Sequence, residues 1–448
     1  MRTPDPTAGL SRRLLWTLPW LALTTSPFPQ GPPFATPPKP GFTPKRIVVF
    51  AQPGVEPGQV AAATNTVPID SIPGTGIFVL QLPQPTPVHQ FEGLVQALAS
   101  APSILLAEPD RRIFASESQG CALPSAAGTQ QCTIGFVDGD PGPGGVLGQD
   151  WLKQIGAPET QALGQGGQPL VAVIDSGIDF DHPAFAGKIH ADGWDFVLDA
   201  PVALDLDDGL DDDGDGLVDE SYGHGTHVAG TILLVNPDAR ILPLRVVDAD
   251  GNGWAFDVAH AVWLATLEGA DVINLSISTN EGSELMALAL SFAVSLGIDV
   301  YTSAGNTGAG HVLFPGSLAH DESPLLKVPA VFPHGVVTVA AVDGSDLKAG
   351  FSAWGSEVDL AAPGTNIFSA VPGGGYAYWS GTSMATAVAS GAGSLVLSAQ
   401  GAAGNGLSSG EHLILTAAPI DGSNPDYAGL LGGGRVDAAA AVEALTLP

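Results

Sequence analysis

From Trp151 onward, short and almost unbroken apolar runs alternate with stretches of helical spacing. The runs cover residues 170–174, 239–246, 271–276, 299–303 and 336–341. Residues 255–268 and 284–296 lie between them and carry helical apolar periodicity. A strand that is apolar on both faces must be covered on both faces. Such strands, separated by helices, predict a mainly parallel sheet with helices on either side, a three-layer α/β fold. In open sheets of this kind, sites form beyond the carboxyl ends of the strands. The residues that immediately follow each run are therefore the first place to look for chemistry.

Asp175 follows the first run directly. A carboxylate held there, largely out of water, needs hydrogen-bond partners, and an imidazole N–H is one. Asp179 and Asp181 are nearby rivals, further from the strand end. His224 stands in Gly223-His224-Gly225-Thr226-His227-Val228-Ala229-Gly230-Thr231, where small residues let a helix start pack closely. His227, one helical turn on, competes with it. The pair lacks the glutamate of a zinc-protease helix, because Gly225 occupies that position. Ser383 follows Gly381-Thr382 and opens the helix-forming run 384–389. A serine there can be a simple helix cap. It can also be a nucleophile, since a helix N-terminus favours developing negative charge.

A serine hydroxyl needs a base, and the base needs an orienting acid. Asp175, His224 and Ser383 supply these parts in the chain order Asp, His, Ser. Asn306, in Ser303-Ala304-Gly305-Asn306, follows another strand run. Its side-chain amide can donate to an oxyanion, with the Ser383 backbone N–H as second donor.

The length of 448 residues suggests two to three domains. Acidic residues outnumber basic ones 46 to 15, a net charge of −31 that excludes nucleic acid as a partner. Arg2, Arg12 and Arg13 precede the apolar stretch 14–23, which Pro19 interrupts. Residues 1–26 thus read as an export signal, too short to span a membrane. A Pro-rich linker follows at 27–44. Strand and helix patterns at 45–115 describe a small α+β domain. The segment 116–148 reads as a second linker, and 149–448 as the main domain. In an exported chain Cys121 and Cys132 are expected to form one local disulfide.

The segments 173–179, 223–230 and 381–386 resemble the three active-site signatures of subtilisin-like serine proteases. Ala362-Pro363-Gly364 and residues 269–276 are similar to further blocks of that family. The resemblance implies that Asp175, His224 and Ser383 are the triad and Asn306 the oxyanion-hole residue. It implies a secreted, monomeric endopeptidase acting on proteins or peptides. The 46–110 unit resembles the family's inhibitory propeptide, which would act as a transient inhibitor and be cut off by the enzyme itself. A peptide ligase or cyclase using the same triad, or an inactive binding module, are the alternatives. Substrates are expected to lie extended against Gly251, Gly253, Ser276, Ile277 and Ser278. The family carries glycines where this chain has Ser278 and Thr279, which predicts a narrower first pocket.

Asp211, Asp213, Asp215 and Gly216 follow the spacing of a calcium loop, with Leu217 offering a carbonyl and Asp219 a further ligand. The twelfth position is Tyr222 rather than a bidentate glutamate. A structural calcium ion is expected there, with Asp205, Asp207 and Asp208 available from the preceding turn. The loop ends just before His224.

Overall fold

The computed structural model describes residues 45–83, 86–117, 135–137, 142–161, 167–319, 335–400 and 407–445. The sequence-predicted export signal, the Pro-rich linker, Cys121 and Cys132 lie outside the described residues. The chain divides into two compact units, one up to Pro109 and one from Asp110.

The first unit follows a βαββαβ path. Its antiparallel sheet has the order Val67–Ile72, Ile77–Gln81, Arg46–Ala51, Ile104–Pro109. The helices Pro57–Thr64 and Val88–Ala99 complete it. Alternation explains the core: Ile47 and Val49 from one strand, with Phe78 and Leu80 from the next, pack around Phe91 and Leu98 of the second helix. The Val67–Ile72 strand was not legible in the sequence. Its residues are mostly solvent-facing, so it carries little apolar pattern.

The second unit is built on a seven-stranded sheet. Its order is Leu360–Pro363, Val336–Val342, Asp299–Ser303, Val272–Leu275, Leu170–Asp175, Arg240–Arg245, Trp194–Asp195. Every neighbouring pair is parallel. The five runs expected from the sequence are its five middle strands. The outer two were not recognised, one being only two residues long. Val171 and Val173 face a core shared with the helices His224–Val235 and Thr382–Gln400. The helices Ala255–Leu267 and Glu284–Ser295 pack against each other and against the sheet, with Trp263 stacked on Phe292 at 4.7 Å. This is the three-layer α/β arrangement expected from the sequence. No helix among the described residues is long and apolar enough to cross a membrane.

The sheet fixes the site. Asp175 ends its strand, His224 begins the Ile232-containing helix, and Ser383 lies in the first turn of the helix Thr382–Gln400. Parallel strand–helix connections bring these ends to one rim. Gly225 is required for the approach: a Cβ there would lie 2.2 Å from the Gly177 carbonyl oxygen.

Candidate active site

Asp175, His224, Ser383 and Asn306 are brought together, and all are buried. His224 Nδ1 donates to Asp175 Oδ1 at 2.6 Å. The same oxygen accepts the Ser176 backbone N–H at 2.8 Å. Trp379 meets the His224 ring edge-on at 5.4 Å between centroids and helps hold it. His227 points elsewhere: its Nε2 faces the carbonyls of Ile367 and Ala377 at 3.0 and 3.2 Å. Burial, with the nearby His224 charge, pushes the His227 imidazole down to about 3. It is a neutral structural donor. Asp179 instead bonds Gly373 and Asp181 backbone N–H groups, away from the imidazole.

Asn306 Oδ1 accepts from both the backbone N–H and the hydroxyl of Thr382 at 2.9 Å. An acceptor must face those donors, so the amide orientation is fixed and Nδ2 faces the cleft. Asp205 lies behind the site rather than in the acidic loop. Its carboxylate accepts from Ser176 Oγ, Gly223 N and Thr226 Oγ1, tying the Asp175 turn to the start of the His224 helix.

The cleft is filled by the chain itself. Residues 110–117 run through it as an extended strap. Asp110 Oδ1 accepts the Phe256 N–H at the start of the Ala255–Leu267 helix. Arg112 lies over the Trp254 ring. The strand Arg112–Ala115 pairs antiparallel with Asn252–Trp254 on one side and Ile277–Ser278 on the other. Ala115 N donates to Gly251 O at 2.8 Å, and Ser116 N to Ser276 O at 3.4 Å. All five residues expected to bind substrate, Gly251, Gly253, Ser276, Ile277 and Ser278, therefore touch this strap. A Cβ at Gly253 would meet Ile113 at 2.9 Å and the Val246 carbonyl oxygen at 2.1 Å, so glycine is needed there.

Two strap residues reach the candidate catalytic groups. Asn306 Nδ2 donates to the Ser116 carbonyl oxygen at 2.9 Å. Glu117 places its carboxylate between Ser383 and His224. Ser383 Oγ donates to Glu117 Oε2 at 2.6 Å, and His224 Nε2 donates to the same oxygen at 2.7 Å. Glu117 Oε1 accepts from Asn306 Nδ2 at 3.1 Å and from Ser383 N at 3.2 Å. Both ring nitrogens of His224 thus face carboxylates, which calls for a proton on each. Burial works against that charge, but Asp175 and Glu117 outweigh it and hold the His224 pKa well above its ordinary value. Burial likewise disfavours the Glu117 carboxylate. The His224 charge and the bonds from His224, Ser383 and Asn306 prevail and hold Glu117 below the usual range. Glu117 was missed by sequence reasoning, which placed it in a linker. A lone glutamate after a short strand carries no local signal.

A family model, described as the subtilase family, matches residues 166–432. The chain is a subtilase. Thermitase from Thermoactinomyces vulgaris is 34% identical over 301 residues, covering 65% of this chain and 94% of thermitase. Subtilisin E from Bacillus subtilis (strain 168) is 36% identical over 257 residues, covering 55% of this chain and 60% of that protein. The crystal structure of fervidolysin from Fervidobacterium pennivorans, described as a keratinolytic enzyme related to subtilisin, is also similar. It aligns with a TM-score of 0.67 at 25% identity, over 90% of this chain and 61% of that one. The subtilase spans about three-fifths of the length of the latter two proteins.

The acidic loop of this subtilase brings Asp211, Asp213 and Asp215 within 4.8 Å of one another through carboxylate oxygens. These carboxylates shape the loop by accepting its own backbone N–H groups, as Asp211 does from Gly214 and Gly216. Asp219 is turned instead to the N–H groups of Asp208 and Gly209. Glu220, which the sequence reading did not include, has both carboxylate oxygens buried without a hydrogen-bond donor. The three clustered carboxylates supply hard oxygen donors of the kind calcium takes.

Proposed function

We propose that this subtilase is a secreted serine endopeptidase made as a self-processing proenzyme. Ser383 acts as nucleophile, His224 as base, Asp175 as its orienting acid, and Asn306 with the Ser383 N–H as oxyanion donors. The observation that carries this reading is the strap. It adds as an antiparallel strand in the manner of a bound peptide, and its Ser116 carbonyl accepts from Asn306. Hydrolysis would begin with Ser383 Oγ bonding the carbonyl carbon while His224 Nε2 takes its proton. His224 then protonates the leaving nitrogen, and water releases the acyl group by the same route in reverse. A casein digest with fluorophosphonate labelling of Ser383 tests the activity. Labelling without digestion would favour the ligase reading, and neither outcome would favour an inactive module.

The unprocessed chain is held back by Glu117. An imidazolium cannot accept the Ser383 proton, so chemistry waits until the Glu117 contact opens. His224 has a raised pKa, so the stabilisation it gains is complete below its ordinary pKa of about 6.5 and fades as pH rises through the raised value. Glu117 has a lowered pKa, so its share is complete above its ordinary value and fades as pH falls through the lowered one. The latch is therefore tightest between the two, and processing is expected to speed up on the alkaline side. Glu117→Gln removes one charge from the pair. It should raise the processing rate near neutrality by about 10-fold and shift the alkaline rise to lower pH. Gel time courses of the purified proenzyme across pH read both effects. An unchanged profile in that variant would remove the latch.

Calcium is proposed at the acidic loop, held by Asp211, Asp213 and Asp215 with the Leu217 carbonyl as a further candidate. Bound there, a cation neutralises the loop that leads into the His224 helix. At a hundredfold excess over its Kd, calcium would stabilise the folded state by about 2.7 kcal/mol. Melting curves with excess calcium and with chelator should differ by several degrees, and Asp213→Asn should abolish the difference. Equal midpoints in the wild type would refute the site.

A further inference from the structure

The strap shows what the cleft accepts. Ser116 Oγ is hydrogen-bonded to Ser303 Oγ at 2.7 Å and to Ser278 Oγ at 2.9 Å. Ser278 and Ser303 are themselves 3.4 Å apart, closing a triangle of hydroxyls. All three serines are essentially sealed from solvent, at 2, 1 and 0% exposure for Ser116, Ser278 and Ser303. The Ser116 carbonyl accepts from Asn306 and its N–H faces Ser276 O, the backbone contacts expected of the residue before a cut. The peptide bond that follows this carbonyl joins Ser116 to Glu117. Three residues upstream, Ile113 packs among Val258, Leu275, Ile277, Ser278, Met286 and Pro315, a mostly apolar surround.

We propose that Ser278 and Ser303 form a hydroxyl-reading pocket that selects serine immediately before the cut, so that the chain's own processing bond is Ser116–Glu117. This rests on the peptidase reading above and names its substrate class: extended peptides with serine before the cut and a branched apolar residue three positions earlier. A substrate hydroxyl completes the triangle. Alanine leaves two buried hydroxyls with only their long mutual contact, and an unmet buried polar group is costly. An aromatic ring would have to displace both side chains. In the processing step, Ser383 Oγ bonds the Ser116 carbonyl carbon and its proton passes through His224 to the Glu117 nitrogen. The Ser116–Glu117 C–N bond breaks. Water then hydrolyses the ester, leaving Ser116 as a free carboxylate and Ser383 restored.

The test uses the processed wild-type protein with the peptide of residues 113–118, Ile-Phe-Ala-Ser-Glu-Ser, and analogues carrying Ala, Phe or Tyr in place of Ser116. The serine peptide is expected to be cut at the Ser–Glu bond with kcat/KM about 10-fold above alanine and roughly 10²-fold above the aromatics. Ser303→Ala and, separately, Ser278→Gly should bring the serine-to-alanine ratio towards one. Sequencing of the processed chain should begin at Glu117. A first residue elsewhere, an aromatic peptide cut as fast as serine, or a ratio unmoved in both variants would overturn the pocket. If wild type digests casein but prefers another residue, only this inference fails. If it cuts neither casein nor any peptide, the peptidase reading fails with it.

Discussion

The Ser383→Ala protein is expected to lose turnover by roughly 10⁶-fold and to remain full-length. Removing the nucleophile of a triad costs about as much as removing the whole triad, leaving only binding and oxyanion stabilisation. Processing should stop with it, because the same hydroxyl stands beside the strap, bonded to Glu117 and 3.2 Å from the Ser276 carbonyl oxygen. The fold should survive. Alanine suits the helix Thr382–Gln400, where alanines already occupy positions 385, 387 and 389. Turnover of a peptide substrate, and the mass of the purified chain, check both halves. Near-normal hydrolysis by this variant would discard the assignment, and a processed chain would point to another protease as the agent of maturation.

Asn306→Ala is expected to cost on the order of 10²–10³-fold in kcat, the scale of losing one oxyanion donor. KM should move little. Substrate would still be held by backbone pairing with residues 252–254 and 276–278, as the strap is. The side chain has a second task, however. Its Oδ1 satisfies the N–H and hydroxyl of Thr382, both buried. Truncation leaves those donors unmet, at a cost of roughly 1–3 kcal/mol. Measuring the melting midpoint beside the kinetics separates the two. A rise in KM with kcat unchanged would show that Asn306 binds ground state and transition state alike, and the oxyanion role would fall.

Much of the architecture could be read from local pattern. The runs beginning at Leu170, Ala239, Asp271, Asp299 and Val336 are strands because both faces of each are buried, and continuous apolar sequence records that fact. Their endpoints in the structure fall within a residue of the expected ones. The edge strand Trp194–Asp195 left no such trace. Two residues are too few for a period, and pairing with Arg240–Arg245 places it in the sheet. The residues brought together at the candidate site were legible for a related reason. Asp175, His224 and Ser383 each sit at the end of an element, where glycine and small-residue punctuation marks the sequence. His227 could not be separated from His224 by spacing, since both lie on the same helix. Only their surroundings differ: two carboxylates for His224, two backbone carbonyls for His227.

The sequence by itself determined that a parallel sheet would form and which side chains would stand at its carboxyl rim. Those properties depend on burial and on chain punctuation, and both are local. Tertiary structure alone decided what lies in the cleft. Glu117 is 266 residues from Ser383 and 107 from His224, yet its one carboxylate bonds both. Ser116 is likewise 187 residues from Ser303 and 162 from Ser278. No period or spacing encodes such contacts. They arise because a sheet edge with unpaired backbone groups accepts the nearest strand that can satisfy it, and here that strand belongs to the same chain.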